Sequence, residues 1–196
     1  MRRLKLTPSF DCNSSSLPSS DRPINRKSLT GRGSFREWFK AEDIEAATGV
    51  SFSVAQANLS ESKRGVVRGI HYSLAAAGQA KWVTCVTGAI KDVIVDIRPD
   101  STTFGKYIAV DLVGGSGQAV LIAAGLGHGF VSLADGSTVA YLVSSPFSPT
   151  EEFEINPLDP AIGVEWGLPI EELLLSPKDE SAPNLSERKV QGKLPI

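Results

Sequence analysis

Lys81-Trp82-Val83-Thr84-Cys85-Val86-Thr87-Gly88-Ala89-Ile90-Lys91-Asp92-Val93-Ile94-Val95-Asp96-Ile97 is two runs of β-forming residues joined by a single glycine. Val, Ile, Thr and Trp favour a pleated, half-buried surface. Gly88 at the junction reads as a bend or hairpin. The same grammar recurs outward in both directions. Segments of five to eight residues, bounded by Gly, Ser, Asn, Asp or Pro, fall at 52–58, 65–72, 81–87, 89–97, 107–112, 119–122, 129–132 and 138–144. Short strands at regular spacing argue for an antiparallel barrel or sandwich. A jelly-roll barrel of this kind has a mouth and an interior that can hold a small ligand. No βαβ alternation, GxGxxG or GxxxxGK[ST] occurs, which disfavours nucleotide binding of the usual α/β kind.

The chain has 196 residues, enough for one domain or one domain with an arm, and its 41% hydrophobic and 21% charged residues are ordinary for a globular protein. A formal charge of -2 gives no general polyanion-binding surface, so no nucleic-acid partner is expected and any anion site must be a local cluster. Cys12 and Cys85 have no ligand spacing and no disulfide framework, and a reduced cytoplasm is the default. No apolar run approaches the ~18 residues of a membrane helix. Met1-Arg2-Arg3-Leu4-Lys5-Leu6 lacks the apolar segment of a secretory signal.

Residues 1–31 include a Ser-, Pro- and Asp-rich run and are read as a poorly patterned arm, either mobile or donated to a partner subunit. After it, Glu42 and Asp43 near the start and Gly49 past the end suggest a short helix ending at Thr48. Phe35, Trp38 and Phe39, taken alone, read as packing residues. Toward the C-terminus, 157–166 and 169–175 carry isolated apolar anchors. Ser176 and Asp179 have [ST]xx[DE] spacing with Pro177 between, the signature of a capped helical turn.

Arg64-Gly65-Val66-Val67-Arg68-Gly69-Ile70-His71-Tyr72 holds one of only two histidines in the chain. A histidine on a strand is either a satisfied core residue or a group that exchanges a proton near neutral pH. His71 and His128 are far apart in sequence, and neither has a second histidine two or four residues away, which disfavours a cupin-type metal site. No GxSxG elbow supports a serine nucleophile. Two carboxylates for glycoside cleavage stay open, although nothing selects a pair; beside them stands proton transfer by a histidine base and a phenol such as Tyr141, with cations to hold an anionic substrate. Arg68 and His71 differ by three, so a regular pleat would point them to opposite faces. A bulge at Gly69 is expected if both serve one pocket.

At this point the residues carry a family resemblance. Gln56-Ala57-Asn58-Leu59-Ser60, Arg68-Gly69-Ile70-His71-Tyr72, Lys81-Trp82-Val83, Asp92-Val93-Ile94-Val95-Asp96-Ile97-Arg98 and Ser101-Thr102-Thr103-Phe104-Gly105-Lys106 follow in one family's order and spacing. So do Gly127-His128-Gly129-Phe130, Tyr141 and Asp159-Pro160-Ala161-Ile162-Gly163-Val164-Glu165-Trp166. The chain resembles the dTDP-4-dehydrorhamnose 3,5-epimerases and their relatives acting on dTDP-4-keto-6-deoxysugars. The resemblance implies a mainly β, cupin-like jelly-roll barrel with a few short helices, spanning 32–196 with a C-terminal extension packed on it. It also implies a homodimer working without metal or cofactor on a dTDP-4-keto-6-deoxy sugar nucleotide, inverting C3, C5 or both.

Carried over residue by residue, His71 is the base, Asp179 orients it, Tyr141 delivers a proton and Lys81 stabilises the enolate. Arg68 contacts phosphate or sugar. Arg32, Glu152 and Lys178 serve nucleotide, diphosphate or sugar; Gln56, Asn58 and Glu37 make further polar contacts; Phe35 and Phe147 pack on thymidine; His128 is a second substrate-contacting histidine. The chain departs from the pattern at Thr30-Gly31 before Arg32, at Arg36, at Lys178 in place of a frequent arginine, and at Phe147 in place of a frequent tyrosine. A one-carbon epimerase of an antibiotic sugar pathway keeps the same base and acid. A barrel that only binds a sugar nucleotide is the non-catalytic alternative.

Overall fold

In the computed structural model, residues 5–6 and 27–195 are described, with side chains from residue 31 onward. The expected arm lies largely outside them. Its described pieces are strands β1 (Lys5–Leu6) and β2 (Lys27–Thr30). Strand β2 forms a hairpin with β3 (Gly33–Arg36) of the same chain.

The remaining strands are β4 (Gln56–Ser62), β5 (Val67–Ser73), β6 (Lys81–Thr87), β7 (Ala89–Asp96), β8 (Tyr107–Val113), β9 (Ala119–Ile122), β10 (Leu126–Ser132), β11 (Ser137–Val143) and β12 (Glu152–Glu154). With β1 they form two five-stranded sheets, in the orders β1-β9-β6-β11-β4 and β12-β5-β10-β7-β8. Every strand pair in them is antiparallel except β1 with β9. This is the antiparallel two-sheet arrangement expected from the strand grammar, and the jelly roll that the family resemblance implied. Gly88 does not fold β6 back on β7; it carries the chain from one sheet into the other.

Three apolar clusters follow. Val83, Ile94, Leu112, Ile122, Phe130 and Val139 are among the residues filling the space between the sheets. Outside the second sheet, Ile70, Tyr72, Val95 and Ile97 are covered by Ile162, Trp166, Leu185 and Leu194 of the C-terminal segment. Outside the first sheet, Trp82 and Leu121 pack with Ile44 and Phe52. Ile44 comes from helix α1 (Ala41–Thr48), which has Glu42 and Asp43 in its first turn and ends at left-handed Gly49 (φ 71°), as its flanks dictate. Phe39 meets Phe52 and Trp82 edge-on at 5.6 and 6.3 Å. Packing was the expectation for Trp38 and Phe39, and both join this cluster. Phe35 does not; it is 68% exposed.

The strand expected at 52–58 begins later, at Gln56, because Phe52 is drawn into the α1 cluster. The last turns are α2 (Pro177–Glu180) and α3 (Leu185–Val190). Ser176 caps α2 by accepting from the Asp179 amide at 3.1 Å, with Pro177 in the first turn. Asp159 ties α3 to the body by accepting from the Leu185 amide at 2.8 Å. Among the described residues no helix is long and apolar enough to cross a membrane.

Candidate active site

A cleft of about 640 Å³ opens between the two sheets, and His71 and Tyr141 line it from opposite ones: β5 supplies His71, β11 supplies Tyr141. His71 reaches it because of Gly69. In the β5–β10 ladder His128 faces His71 and Phe130 faces Arg68, so the register slips by one residue between them. Gly69 sits in that bulge at φ 124°, joined to Ile70 by a cis peptide. A Cβ on Gly69 would lie 2.4 Å from Gly129 Cα, so glycine is required. The extra residue turns Arg68 and His71 into the same cleft, as their three-residue spacing demanded.

Asp179 meets His71 from the far end of the chain. Its Oδ1 lies 2.6 Å from His71 Nε2, and its Oδ2 accepts from Ser176 Oγ at 2.9 Å. Burial raises the Asp179 pKa, but hydrogen bonds from His71, Ser176 and the Gly69 amide and the charge of His71 outweigh it, holding the carboxyl below its ordinary range. An ionised Asp179 favours the neutral tautomer with its proton on Nε2, which leaves a lone pair on Nδ1.

Lys81, on β6, is buried, and its Nζ lies 3.5 Å from the His71 carbonyl oxygen. Burial lowers its pKa, against which the carboxylates of Glu152 and Asp92 act. Glu152 is itself held by Gln79 Nε2 at 2.9 Å. Burial pushes the Tyr141 phenol up, Arg68 opposes it and Glu152 adds to it; the net rise keeps the hydroxyl protonated at neutral pH, as a proton donor needs. Gln56 and Asn58 on β4 join side chains at 2.7 Å, and Gln56 Oε1 accepts from the Phe147 amide at 2.9 Å, which places Phe147 at the rim. Lys178 also lines the cleft, paired with Glu154 at 2.9 Å.

Four of the expected site residues do not line this cleft. Arg32, Phe35 and Glu37 are exposed on or beside the β2–β3 hairpin. His128, paired with His71 across β10 and β5, is buried and does not line the cleft, its Nε2 2.7 Å from Asp92 Oδ1. The other oxygen of Asp92 has no partner among the described residues. Several contributors were not singled out from sequence. Gln79 and Glu154 have no local signal at all. Ser176 was legible only as a helix cap, and Asp92 only as part of a family-like run. Among the described residues no cluster of three or more His, Cys, Asp or Glu is arranged to hold a metal ion.

The family whose sequence pattern is described as dTDP-4-dehydrorhamnose 3,5-epimerase matches residues 25–187. The chain belongs to the dTDP-4-dehydrorhamnose 3,5-epimerase family. Within it, a dTDP-4-dehydro-6-deoxyglucose 3-epimerase of Streptomyces bikiniensis is 46% identical over 164 residues, 84% of this chain and 83% of that one. A dTDP-4-dehydrorhamnose 3,5-epimerase of Mycolicibacterium smegmatis is also 46% identical over 164 residues, covering 84% and 80%. Among solved structures, the 3'-monoepimerase ChmJ of Streptomyces bikiniensis, in complex with dTDP-quinovose, superposes with a TM-score of 0.82 at 43% identity, covering 88% of this chain and 86% of that one. These epimerases share the cupin-like jelly roll described above.

Proposed function

We propose that this epimerase inverts C3 and C5 of a dTDP-4-keto-6-deoxyhexose through an enolate, with His71 as base and Tyr141 as acid. One observation carries the reading: an oriented imidazole and a protonated phenol line a single cleft from opposing sheets, beside a buried lysine. A C4 ketone acidifies its neighbouring C–H bonds. His71 Nδ1 takes the proton, the C–H electron pair moves onto the carbonyl oxygen, and Lys81 meets the charge that develops there. Tyr141 then gives its proton to the carbon from the other face, and solvent restores both groups. A base and an acid each contribute about 10²–10⁴-fold. Arg68, Gln56, Asn58, Glu152, Phe147 and Lys178 hold the sugar and nucleotide.

Inversion at C3 alone is a second reading, favoured by the 46% match to a 3-epimerase. The test is turnover of the 4-keto sugar nucleotide in deuterated water. Deuterium at both carbons supports the first reading, at C3 only the second. Deuterium at neither refutes both and leaves a binding protein.

Two further elements belong to this reading. The domain is 32–196 with its C-terminal segment as a fixed cover, as the outer cluster around Trp166 and Leu194 supports. The active form is a homodimer in which the hairpin of one copy, with Arg32, Phe35 and Glu37, reaches the cleft of the other and completes a substrate pocket that includes His128 beneath it. The exposure of Phe35 supports this. Mixing His71→Asn with Phe35→Ala protein should restore turnover in hybrid dimers; no recovery refutes the exchange. The substrate class and the buried Cys85 thiol accord with a cytoplasmic setting.

A further inference from the structure

Glu154 does not line the cleft, yet both its carboxylate oxygens are committed and one of them holds a residue that does. Oε2 accepts from Lys178 Nζ at 2.9 Å and Oε1 from Arg188 at 3.0 Å. Arg188 also donates through Nε to the Glu154 carbonyl at 2.8 Å and through Nη1 to Gln191 Oε1 at 3.1 Å. It is 9% exposed and lies 5.5 Å from the centre of the Phe153 ring. The Lys178 side chain is 62% exposed. The three charges therefore run from a buried cation, through a carboxylate, to a cation at the mouth of the cleft.

Their unequal burial matters. Charges couple more strongly where water is excluded, so the carboxylate is balanced chiefly by Arg188. Lys178 is held in place by Glu154 without being cancelled by it, and the trio keeps one net positive charge at the rim. Without Arg188, Glu154 would neutralise Lys178 instead. Lys178 also immediately precedes Asp179, so its position is tied to the turn that orients the base.

We propose that Arg188 acts through Glu154 as a positioning residue for charge: by balancing that carboxylate it leaves the Lys178 ammonium at the rim available to the diphosphate of a nucleoside-diphosphate sugar. This rests on the sugar-nucleotide reading above. Arg188 is remote from the reacting atoms, so its effect falls on binding.

The test measures dTDP affinity by calorimetry, together with KM and kcat for the 4-keto sugar nucleotide. Arg188→Met should raise Kd and KM by about 3- to 10-fold at low ionic strength while retaining kcat. The effect should shrink in 1 M salt, where the Debye length falls to about 3 Å. Arg188→Lys should match wild type. Glu154→Gln/Arg188→Met should return to within about twofold of wild type, because the net charge is restored. A role limited to anchoring α3 would show no such rescue, and failure of the double variant to recover overturns the proposal. Should Arg188→Met not fold, Glu154→Gln alone decides: it should bind dTDP equally or more tightly, and a Kd raised more than threefold refutes the charge account. Wild-type protein that binds no dTDP overturns the sugar-nucleotide reading as well; wild type that binds it beside an Arg188→Met that binds equally overturns this proposal alone.

Discussion

Asp179→Asn isolates the charge behind the proposed base, His71, while preserving shape. The wild-type carboxylate is 5% exposed and meets His71 Nε2 at 2.6 Å. It also accepts from Ser176 and from the Gly69 amide, so all its neighbours are donors. An amide can turn its oxygen toward only one side of that arrangement. Facing His71 with its NH2 group, it would force the imidazole proton onto Nδ1 and remove the base. Facing His71 with its oxygen, it keeps the tautomer but offers no charge to the imidazolium that forms as the substrate loses its proton. A hydrogen bond to a charged partner is worth about 1.5–3 kcal/mol. At about 1.4 kcal/mol per tenfold, its loss lowers kcat about 10- to 150-fold, and the tautomer penalty extends this toward 10³–10⁴. The assay is deuterium incorporation at C3 and C5 followed by NMR, alongside dTDP affinity, which should stay within about twofold of wild type. A folded Asp179→Asn protein whose kcat lies within about threefold of wild type refutes the assignment of Asp179 as the group that orients and supports His71.

Lys81→Met should lower kcat by about 10²–10³-fold, the usual loss on removing a donor to a developing oxyanion. Because burial opposes its charge, thermal unfolding should show no loss of stability; a drop in Tm of more than about 5 °C contradicts this. Gly69→Ala drives a methyl group into the Gly129 backbone at a φ that side chains rarely adopt. It should cost more than about 3 kcal/mol, and activity with unchanged denaturation would show that the bulge is dispensable. Asp96, fully buried, accepts from Arg98, Ser101 and Thr103, and although burial raises its pKa these bonds hold it far below the usual carboxylate range. Its folded pKa is depressed, so its contribution is fully present above the unfolded value of about 3.9 and is lost as pH falls through the folded value. Denaturant titrations at pH 7 and pH 3 should show the first part of that loss in wild type and much less of it in Asp96→Asn, which should also cost about 3 kcal/mol at pH 7; equal pH dependence in the two proteins refutes it.

Much of the fold was legible because its signals are local. Strands β6 and β9 occupy the expected residues, since Gly88 and the Gly-rich run before Gln118 bound them. Helix α1 ends where Gly49 dictates, and the Ser176 cap lies within one turn. Short elements escaped. Strand β12, Glu-Phe-Glu, has no β-branched run and exists because it pairs with the edge of β5. The bulge at Gly69 was legible because two polar residues three apart had to share one side of a strand.

Sequence by itself determined the strand grammar, the caps and, through ordered motifs, the residues to watch. Tertiary structure decided which of them meet. His71 and His128 stand opposite each other in one ladder, yet His71 lines the cleft and His128 is buried and held by Asp92. Asp179 reaches His71, and Arg188 reaches Glu154, only after the C-terminal segment folds back over β5 and β12. Caps and turns are fixed by neighbours within a few residues. Pairings across the chain depend on sheet order and on burial, which arise only when distant apolar faces leave water together.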